Sequence, residues 1–442
     1  MSSHKLQAPK GTRDWYPNEM SVRRHIEAAW RSASVDSGFD EIEGPTFEHL
    51  ELYTIKSGEG IVNELFSFTR AGGDDTYALR PEFTPTLARM VVARAAQLPM
   101  PIKWFCMPAM FRAERPQRGR LREFQQWNVD LIGVAGAEAD AEVIATGILA
   151  LERLGLRPTD VQVRISHRDA VANILRRLGV AAESLHAAFE LLDRRDKLDA
   201  AEFAKRAAAL GLDEGARAGF ERVARTTLPI ATDIAELARN VDVPVEDVEP
   251  LAALRDRLSA LGLADWCRWD LGIVRGLAYY TGMVFEFHEA SGAERAIAGG
   301  GRYDTLVELF GGPKLPACGF GMGDVVLSLV LADRGLLKDA EAGAFLPRPD
   351  VFLLSNGAEA AERGVAGLEH SLRRAGFHVR RSYKQTRNIG KLLGDANKVR
   401  ARFALIVDDK FADGVVTLKD LGAGTQADVW REDLDGLLRR AR

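Results

Sequence analysis

The run Phe111-Arg-Ala-Glu-Arg-Pro-Gln-Arg-Gly-Arg-Leu-Arg-Glu-Phe-Gln-Gln-Trp-Asn-Val-Asp130 decides how this chain is read. Five arginines fall between Arg112 and Arg122. Apolar stretches flank them, Trp104 to Met110 before and Val129 to Val134 after, and a Pro116-Gln-Arg-Gly119 turn sits in the middle. That pattern predicts two antiparallel strands joined by a basic loop. Fixed guanidiniums on a sheet suit a polyphosphate, because their planar forks pair bidentately with phosphate oxygens. A regular strand would place Arg120, Arg122, Phe124, Gln126, Asn128 and Asp130 on one face. Gln126 and Asp130 would then lie roughly 13 Å apart, at ~3.3 Å per residue. A phosphate-binding end thus grades into a neutral and acidic end, where a nucleotide could lie beside a small cationic or amide-bearing substrate. The plainer alternative is an exposed edge hairpin carrying a solvated charge run.

The chain has 442 residues, enough for two or three domains. Its hydrophobic share of 46% and charged share of 28% are those of a soluble globular protein. No apolar run is long enough for a membrane span. Met1 to Asp14 lacks the apolar core of an export signal, so the cytoplasm is the expected compartment. Cys106, Cys267 and Cys318 are widely spaced and suggest neither zinc ligation nor a disulfide framework. The histidines, His4, His25, His49, His167 and His288 among them, show no ligand spacing, and no metal-binding residue is expected. A net charge of −4 argues against a non-specific nucleic-acid coat, so an RNA partner would be met by local basic patches.

Working outward, Pro9 to Pro17 is turn-rich. Apolar spacing at Val22, Ile26, Ala29 and Trp30 predicts a helix over about 18–37, ending at Gly38, with a strand from Phe39 to Pro45. Residues 63–69 and 76–80 read as short strands about Gly72-Gly73. A helix is expected from Thr84 to about Ala96, another over 135–155, and a strand over 160–166. The division is 1–167 as the first part of a core and 168–255 as a helical insertion rich in Ala, Leu, Arg and Glu. Residues 256–335 form the second part of the core. A linker follows at 336–349, around Pro347-Arg-Pro349. Residues 350–442 carry alternating apolar strands and helices and read as a small α/β domain with a largely parallel sheet.

Further constellations carry chemistry. Leu79-Arg-Pro-Glu82-Phe-Thr84-Pro places a carboxylate before a helix start; it is either part of the helix N-terminus or a holder of a substrate ammonium. In Leu271-Gly-Ile-Val-Arg275-Gly-Leu-Ala-Tyr279-Tyr280-Thr-Gly282, an arginine among apolar residues needs an anionic partner if it is buried. Alternation would put Tyr279 and Tyr280 on opposite faces. Ala298-Gly-Gly-Gly301-Arg-Tyr-Asp304 is either a plain turn or a stretch that lets a ligand approach the backbone. Ala317-Cys-Gly-Phe-Gly-Met-Gly323-Asp-Val-Val326 is a glycine-spaced strand running into a helix, with small residues that would let an adenine ring lie close.

Taken in order, these segments resemble the histidyl-tRNA synthetase family over nearly the whole chain. Phe-Arg-x-Glu-Arg, a loop and Arg-x-Phe-Gln-Gln look like motif 2 of class II aminoacyl-tRNA synthetases. The Arg275–Tyr280 and Ala298–Asp304 segments are characteristic of the histidine branch. Helix 18–37 and the strand to Pro45 resemble motif 1, the family's homodimer interface, and residues 350–442, with Lys419 to Thr425, resemble its anticodon-binding domain.

The resemblance implies an α/β protein: an antiparallel class II sheet flanked by helices, a helical insertion and a C-terminal α/β domain. It implies ATP-dependent activation of L-histidine to histidyl-adenylate and transfer to tRNA(His), with Mg2+ on the phosphates. By the same token Arg112 and Arg275 flank the α-phosphate as catalytic residues. Glu114, Arg120, Arg122, Gly321 and Gly323, with Arg112, hold ATP. Glu82, Thr84, Gln126, Asp130, Tyr279 and Tyr280, with the two flanking arginines, hold histidine. Gly299, Gly300, Gly301 and Tyr303 floor the pocket. Arg380, Arg381, Lys384, Arg387 and Lys391 are candidate RNA contacts, and Gln117 and Arg118 would lie near the end of the tRNA. Three positions depart from the family's usual pattern. Asp130 stands where glutamate is frequent, Ala278 where aspartate is frequent, and Val326 where the motif 3 arginine that touches the γ-phosphate is expected. Arg118, Arg120 or Arg302 would then take over that contact. The rival reading is a histidine-binding regulatory subunit of ATP phosphoribosyltransferase, which shares the core but typically lacks the C-terminal module.

Overall fold

The arginine-rich stretch becomes the middle of a ten-stranded sheet. In the computed structural model, which describes residues 6–57, 59–195, 198–274, 280–341, 343–384 and 386–441, Ala109–Phe111 pairs antiparallel with Glu123–Ile132, Met110 opposite Phe124. The turn between them closes through a Gln117–Arg120 bridge, with Gly119 at a φ of 74° that disfavours any other residue. The strand begins at Glu123. Arg120 and Arg122 therefore belong to the loop and do not continue the strand's polar face.

From one edge the sheet runs Asp40–Glu41, Ile102–Cys106, Glu123–Ile132, Ala317–Gly323, Ala298–Arg302, Met283–Glu289, Val161–His167, Cys267–Asp270 and Thr227–Pro229. Its pairings are antiparallel, except between Asp40–Glu41 and Ile102–Cys106 and between Val161–His167 and Cys267–Asp270. A smaller three-stranded sheet holds Phe47–His49, Thr76–Leu79 and Ser67–Thr69.

Glu123–Ile132 alternates in what it faces. Trp127, Val129 and Leu131 are buried in the main core. The helix Pro17–Asp36 covers that side, started by Pro17 in its first turn, where a missing N–H costs nothing. Its buried residues Ile26, Ala29, Trp30 and Ala33 follow helical spacing. Trp30 stacks on Trp127 at 5.9 Å between ring centroids, and the Trp127 indole N–H donates to Ser34 at 2.9 Å. The helix Ala137–Arg153 completes the layer and packs on both the first helix and the central strand. Phe124, Gln126, Asn128 and Asp130 point the other way.

The glycine strands sit against that polar face. A Cβ on Gly319 would lie 2.4 Å from Asp130 Oδ1, and one on Gly321 would lie 2.5 Å from Gln126 Nε2. The sequence thus leaves room for polar side chains by omitting its own. Helices from Arg168–Arg177 through Ala252–Ala260 form the insertion, which returns one strand, Thr227–Pro229, to the sheet edge.

Contact density divides the chain into Met1–Lys338 and Asp339–Arg442. In the second unit the strands run in the order Val379–Arg381, Val351–Ser355, Phe403–Val407, Val415–Asp420, Gln426–Trp430. The first three are parallel. The expectation of a largely parallel sheet missed the last two, which form an antiparallel hairpin on Phe403–Val407. The Lys419–Thr425 run is its turn, where Asp420 accepts from the Gly422 and Ala423 amides at 2.8 Å. Among the described residues no helix is long and apolar enough to cross a membrane.

Gly300 tests the packing. A Cβ there would lie 2.3 Å from the Gly319 carbonyl oxygen and 2.6 Å from Phe285, whereas one on Gly323 meets nothing within 4 Å. Gly300→Ala is expected to lower stability by about 2–3 kcal/mol. Gly323→Ala should stay within ~0.5 kcal/mol. Urea unfolding of the two variants measures the contrast.

Candidate active site

Two cavities open off the polar face of Glu123–Ile132 and share a wall made by Arg112, Gln126, Gly299 and Gly321. One has a volume of 880 Å³ and the other 90 Å³. Arg112 stands at the junction, its Nε donating to the Pro81 carbonyl at 3.1 Å and its guanidinium 5.2 Å from the Phe124 ring centre.

Glu82, Thr84, Asn128, Asp130, Tyr280, Tyr303 and Gly319 line the small chamber. Asp130 is buried at its inner end, and the Tyr303 hydroxyl donates to its Oδ1. Burial pushes the Asp130 carboxyl up to about 7, while the Tyr303 hydrogen bond opposes the shift. A buried acceptor poised near neutrality, with a tyrosine fixing one oxygen, suits a heterocyclic N–H. Gln126 is oriented by its amide donating to Asn128 Oδ1 at 2.8 Å. Gly301 lets Tyr280 lie over the backbone, since a Cβ there would be 2.8 Å from the ring. Glu82 precedes the helix Thr84–Arg94, whose N-cap position is Phe83, and its location on the chamber wall separates it from a plain capping residue.

The large chamber is lined on one side by Arg112, Arg120 and Arg295. Arg164, Asp193, Glu286 and His288 also line it, and His288 lies 2.8 Å from Glu286. Gly119, Gly323 and Val326 lie on its wall. Arg120 is held by Glu114, whose second oxygen, Oε2, is buried with no hydrogen-bond partner.

Several expected site residues lie elsewhere. Arg122 turns back to the N-terminal segment and donates to the Glu114 carbonyl at 3.3 Å and the Lys10 carbonyl at 3.4 Å. It is therefore placed to anchor Pro9–Pro17 and not to reach a ligand. Arg302 is buried, donating to Asp140 at 2.7 Å and to the Val134 and Gly136 carbonyls at 3.0 Å. With that set of acceptors it cannot stand in for an arginine at position 326. Arg118 pairs with Glu294 at 2.8 Å. Gly300 faces Phe285 and Phe320, away from the chambers, so of the three floor glycines only Gly299 lines them directly. Arg275 and Tyr279 lie outside the described residues.

Two residues escaped the sequence reading. Gly319 sits in the same glycine-spaced strand as Gly321 and Gly323, and that spacing is its signal. Arg295 gave no signal, because a lone arginine in a loop has neither period nor spacing.

Both parts of the chain match known proteins. The Histidyl-tRNA synthetase family profile matches residues 11–323, and an anticodon binding domain profile matches residues 350–440. A histidine–tRNA ligase of Opitutus terrae is 42% identical over 98% of both chains. One from Pyrococcus furiosus is 35% identical over 99% of both. A crystal structure of a Nostoc histidyl-tRNA synthetase superposes with a TM-score of 0.80 at 24% identity, covering 99% of this chain and all of that one.

Asp130 sets a pH test. The folded protein keeps its proton up to about pH 7, whereas an unfolded aspartate loses it near pH ~4. The folded state binds the extra proton across that window, so stability contributed by this group is lost as pH rises from ~4 to ~7 and is flat above. The Tm of Asp130→Asn relative to the parent is expected to climb over that range and then level. Its histidine binding should weaken at least ~10-fold at pH 8. Calorimetry at several pH values measures both; a constant Tm difference would show that burial does not set the Asp130 proton.

Proposed function

The chain belongs to the histidyl-tRNA synthetase family, and we propose that the wall between its two cavities is where histidine meets ATP. Its activity is that of a histidine–tRNA ligase, which activates histidine with ATP and passes it to tRNA. The observation that carries the assignment is Arg112, which lines both cavities at once.

The small chamber takes the amino acid. Asp130, held by Tyr303, accepts from the imidazole N–H, and Tyr280 closes over the ring. Glu82 and Thr84 meet the ammonium, and Gln126 meets the carboxylate region from the shared wall. A chamber whose buried polar groups need a hydrogen-bonding ligand rejects apolar side chains by ~10⁴-fold or more. The large chamber takes ATP. The histidine carboxylate attacks the α-phosphorus in line and pyrophosphate leaves; the terminal ribose hydroxyl of the tRNA then attacks the acyl carbon of the adenylate, losing its proton as AMP leaves. Charge grows on the phosphoryl oxygens during the first step, so the work of the site is positioning and electrostatic stabilisation. Arg112 and Arg275 serve the α-phosphate, and Arg120 the phosphates beyond it.

Mg2+ travels with ATP and needs only one or two protein carboxylates. Glu114, with its buried and unpartnered Oε2, fits that need. The ion would neutralise charge on the phosphates.

The C-terminal unit contributes tRNA recognition. A 500 Å³ cavity opens beyond the C-terminal ends of Val351–Ser355 and Val379–Arg381, where open α/β sheets commonly bind ligands. Tyr383 is 76% exposed there, with the Arg381 guanidinium 4.3 Å from its ring centre, a platform for an unstacked base. Arg387 and Lys384 line the same cavity, Lys384 being paired with Asp395 at 2.6 Å, whereas Arg380 and Lys391 lie on the surface outside it.

A homodimer is supported by the aromatic face of the three-stranded sheet. Phe47 and Phe68 are exposed by 48% and 43% and touch each other and Tyr77, a patch that a second copy would cover. Cys106, Cys267 and Cys318 are buried and unpaired, which suits a reducing cytoplasm.

Histidine-dependent exchange of pyrophosphate into ATP tests the site. The parent protein should exchange with histidine and no other amino acid, and Arg112→Ala should lower kcat/KM by about 10²–10³. Histidine binding without exchange would replace the ligase by the regulatory reading that Val326 invites.

For the C-terminal unit, Tyr383→Ala should lower kcat/KM for aminoacylation of tRNA by about 10-fold, the loss of one base stack. Retention of full activity would remove Tyr383 from the RNA interface.

A further inference from the structure

We propose that Arg295 is the guanidinium that grips the outer phosphates of ATP in this chain, from a loop distant in sequence from position 326. The inference rests on the large cavity being the nucleotide chamber.

Its position comes first. Arg295 lies in the loop before Ala298–Arg302 and lines the large cavity together with Arg112 and Arg120. Its stem runs beside Val326. A Cβ on Gly119 would lie 3.3 Å from Val326 Cγ2 and 3.7 Å from Arg295 Cδ, so the two side chains flank the same glycine. That glycine is the left-handed turn residue of the arginine hairpin, which leaves the loop no room to swing a side chain between them. An arginine that approaches over Gly119 therefore reaches the same part of the cavity as one rooted at 326.

Availability comes second. Arg118 is taken by Glu294, Arg122 by the Lys10 and Glu114 carbonyls, and Arg302 by Asp140, while Arg120 faces the cavity with its charge already partly met by Glu114. Arg295 makes no hydrogen bond or ion pair among the described residues. Burial and the neighbouring guanidiniums of Arg120 and Arg112 lower its pKa from the usual arginine range, with Glu114 pulling the other way. Like charges held together without enough acid between them are a standing cost in the empty protein. A triphosphate, with several anionic oxygens, relieves that cost, whereas a nucleoside monophosphate ending at Arg112 does not. Val326 adds nothing but an apolar surface. The first turn of its helix, Asp324–Asp333, presents a partial positive charge to the same space.

The test measures binding of ATP, ADP and AMP to the full-length protein by calorimetry, alongside histidine-dependent exchange. Arg295→Ala should weaken ATP about 10–100-fold, the range for one charge-assisted phosphate contact. AMP should change less than ~2-fold, and so should the KM for histidine. Arg295→Lys should recover part of the ATP affinity, and Val326→Arg in the Arg295→Ala background should recover most of it. Unchanged ATP affinity in Arg295→Ala, or equal loss for ATP and AMP, would overturn the assignment. If Arg295→Ala proves unstable by thermal melt, the ATP-to-AMP ratio in Arg295→Lys decides in the same way. A parent protein that binds ATP through Arg295 yet exchanges nothing would sink the ligase site while leaving this contact standing.

Discussion

Where the side chains of Gln126 and Asp130 lean against the neighbouring strand, that strand carries only hydrogen. Everything else in the site depends on that constraint. The strand Ala317–Gly323 presents Gly319 and Gly321 to them, and Cβ atoms there would overlap the carboxylate and the amide at 2.4 and 2.5 Å. Asp130 can therefore be buried deep enough for its carboxyl to shift to about 7 while Tyr303 still reaches it. On the reverse of Glu123–Ile132, Trp127 is locked between Trp30 and Phe320, at 5.9 and 5.0 Å between ring centres. The rigid aromatic layer fixes the strand. The glycines on the other side turn that rigidity into a cavity.

Charge is organised around the cavity with the same economy. The hairpin concentrates arginines, but the fold assigns most of them to structural partners. Arg302 is sunk against Asp140 and two carbonyls, which ties the glycine strand to the helix Ala137–Arg153. Arg122 secures the N-terminal segment, and Arg13 in that segment reaches Asp324 at 2.6 Å, at the start of the helix that carries Val326. Asp324 also accepts from the Gln125 amide at 2.9 Å, so the helix, the central strand and the N-terminal segment meet on one carboxylate. The positive charge left over for a ligand is thus a small remainder of a large inventory, and it is concentrated at Arg112, Arg120 and Arg295.

Much of this was legible beforehand. The hairpin, the helix beginning at Pro17, the glycine strand and the C-terminal αβ alternation follow from period and punctuation, which are local properties of a chain. Gln126 and Asp130 were placed together because a strand repeats every two residues. That repeat does not reach back into the arginine loop. Arg120 and Arg122 were put on the same face as Asp130, but the strand begins only at Glu123. Gly300 is turned by the same alternation to the opposite side from Gly299. The added hairpin Val415–Trp430 was missed because an antiparallel pair at a sheet edge has no crossover helix to announce it.

By itself the sequence determined the strand that carries the candidate site, because hydrophobic period, turn chemistry and glycine spacing act over a few residues. Its motifs, by resemblance, pointed to the family and to the residues proposed to meet histidine and ATP. Only the tertiary structure decided which arginines are free. Arg118 finds Glu294, Arg302 finds Asp140 and Arg122 finds the Lys10 carbonyl, each across more than a hundred residues of chain. Ion pairing is set by distance through space, not by spacing along the backbone. A guanidinium that binds substrate and one that holds the fold together therefore look alike until the chain is closed.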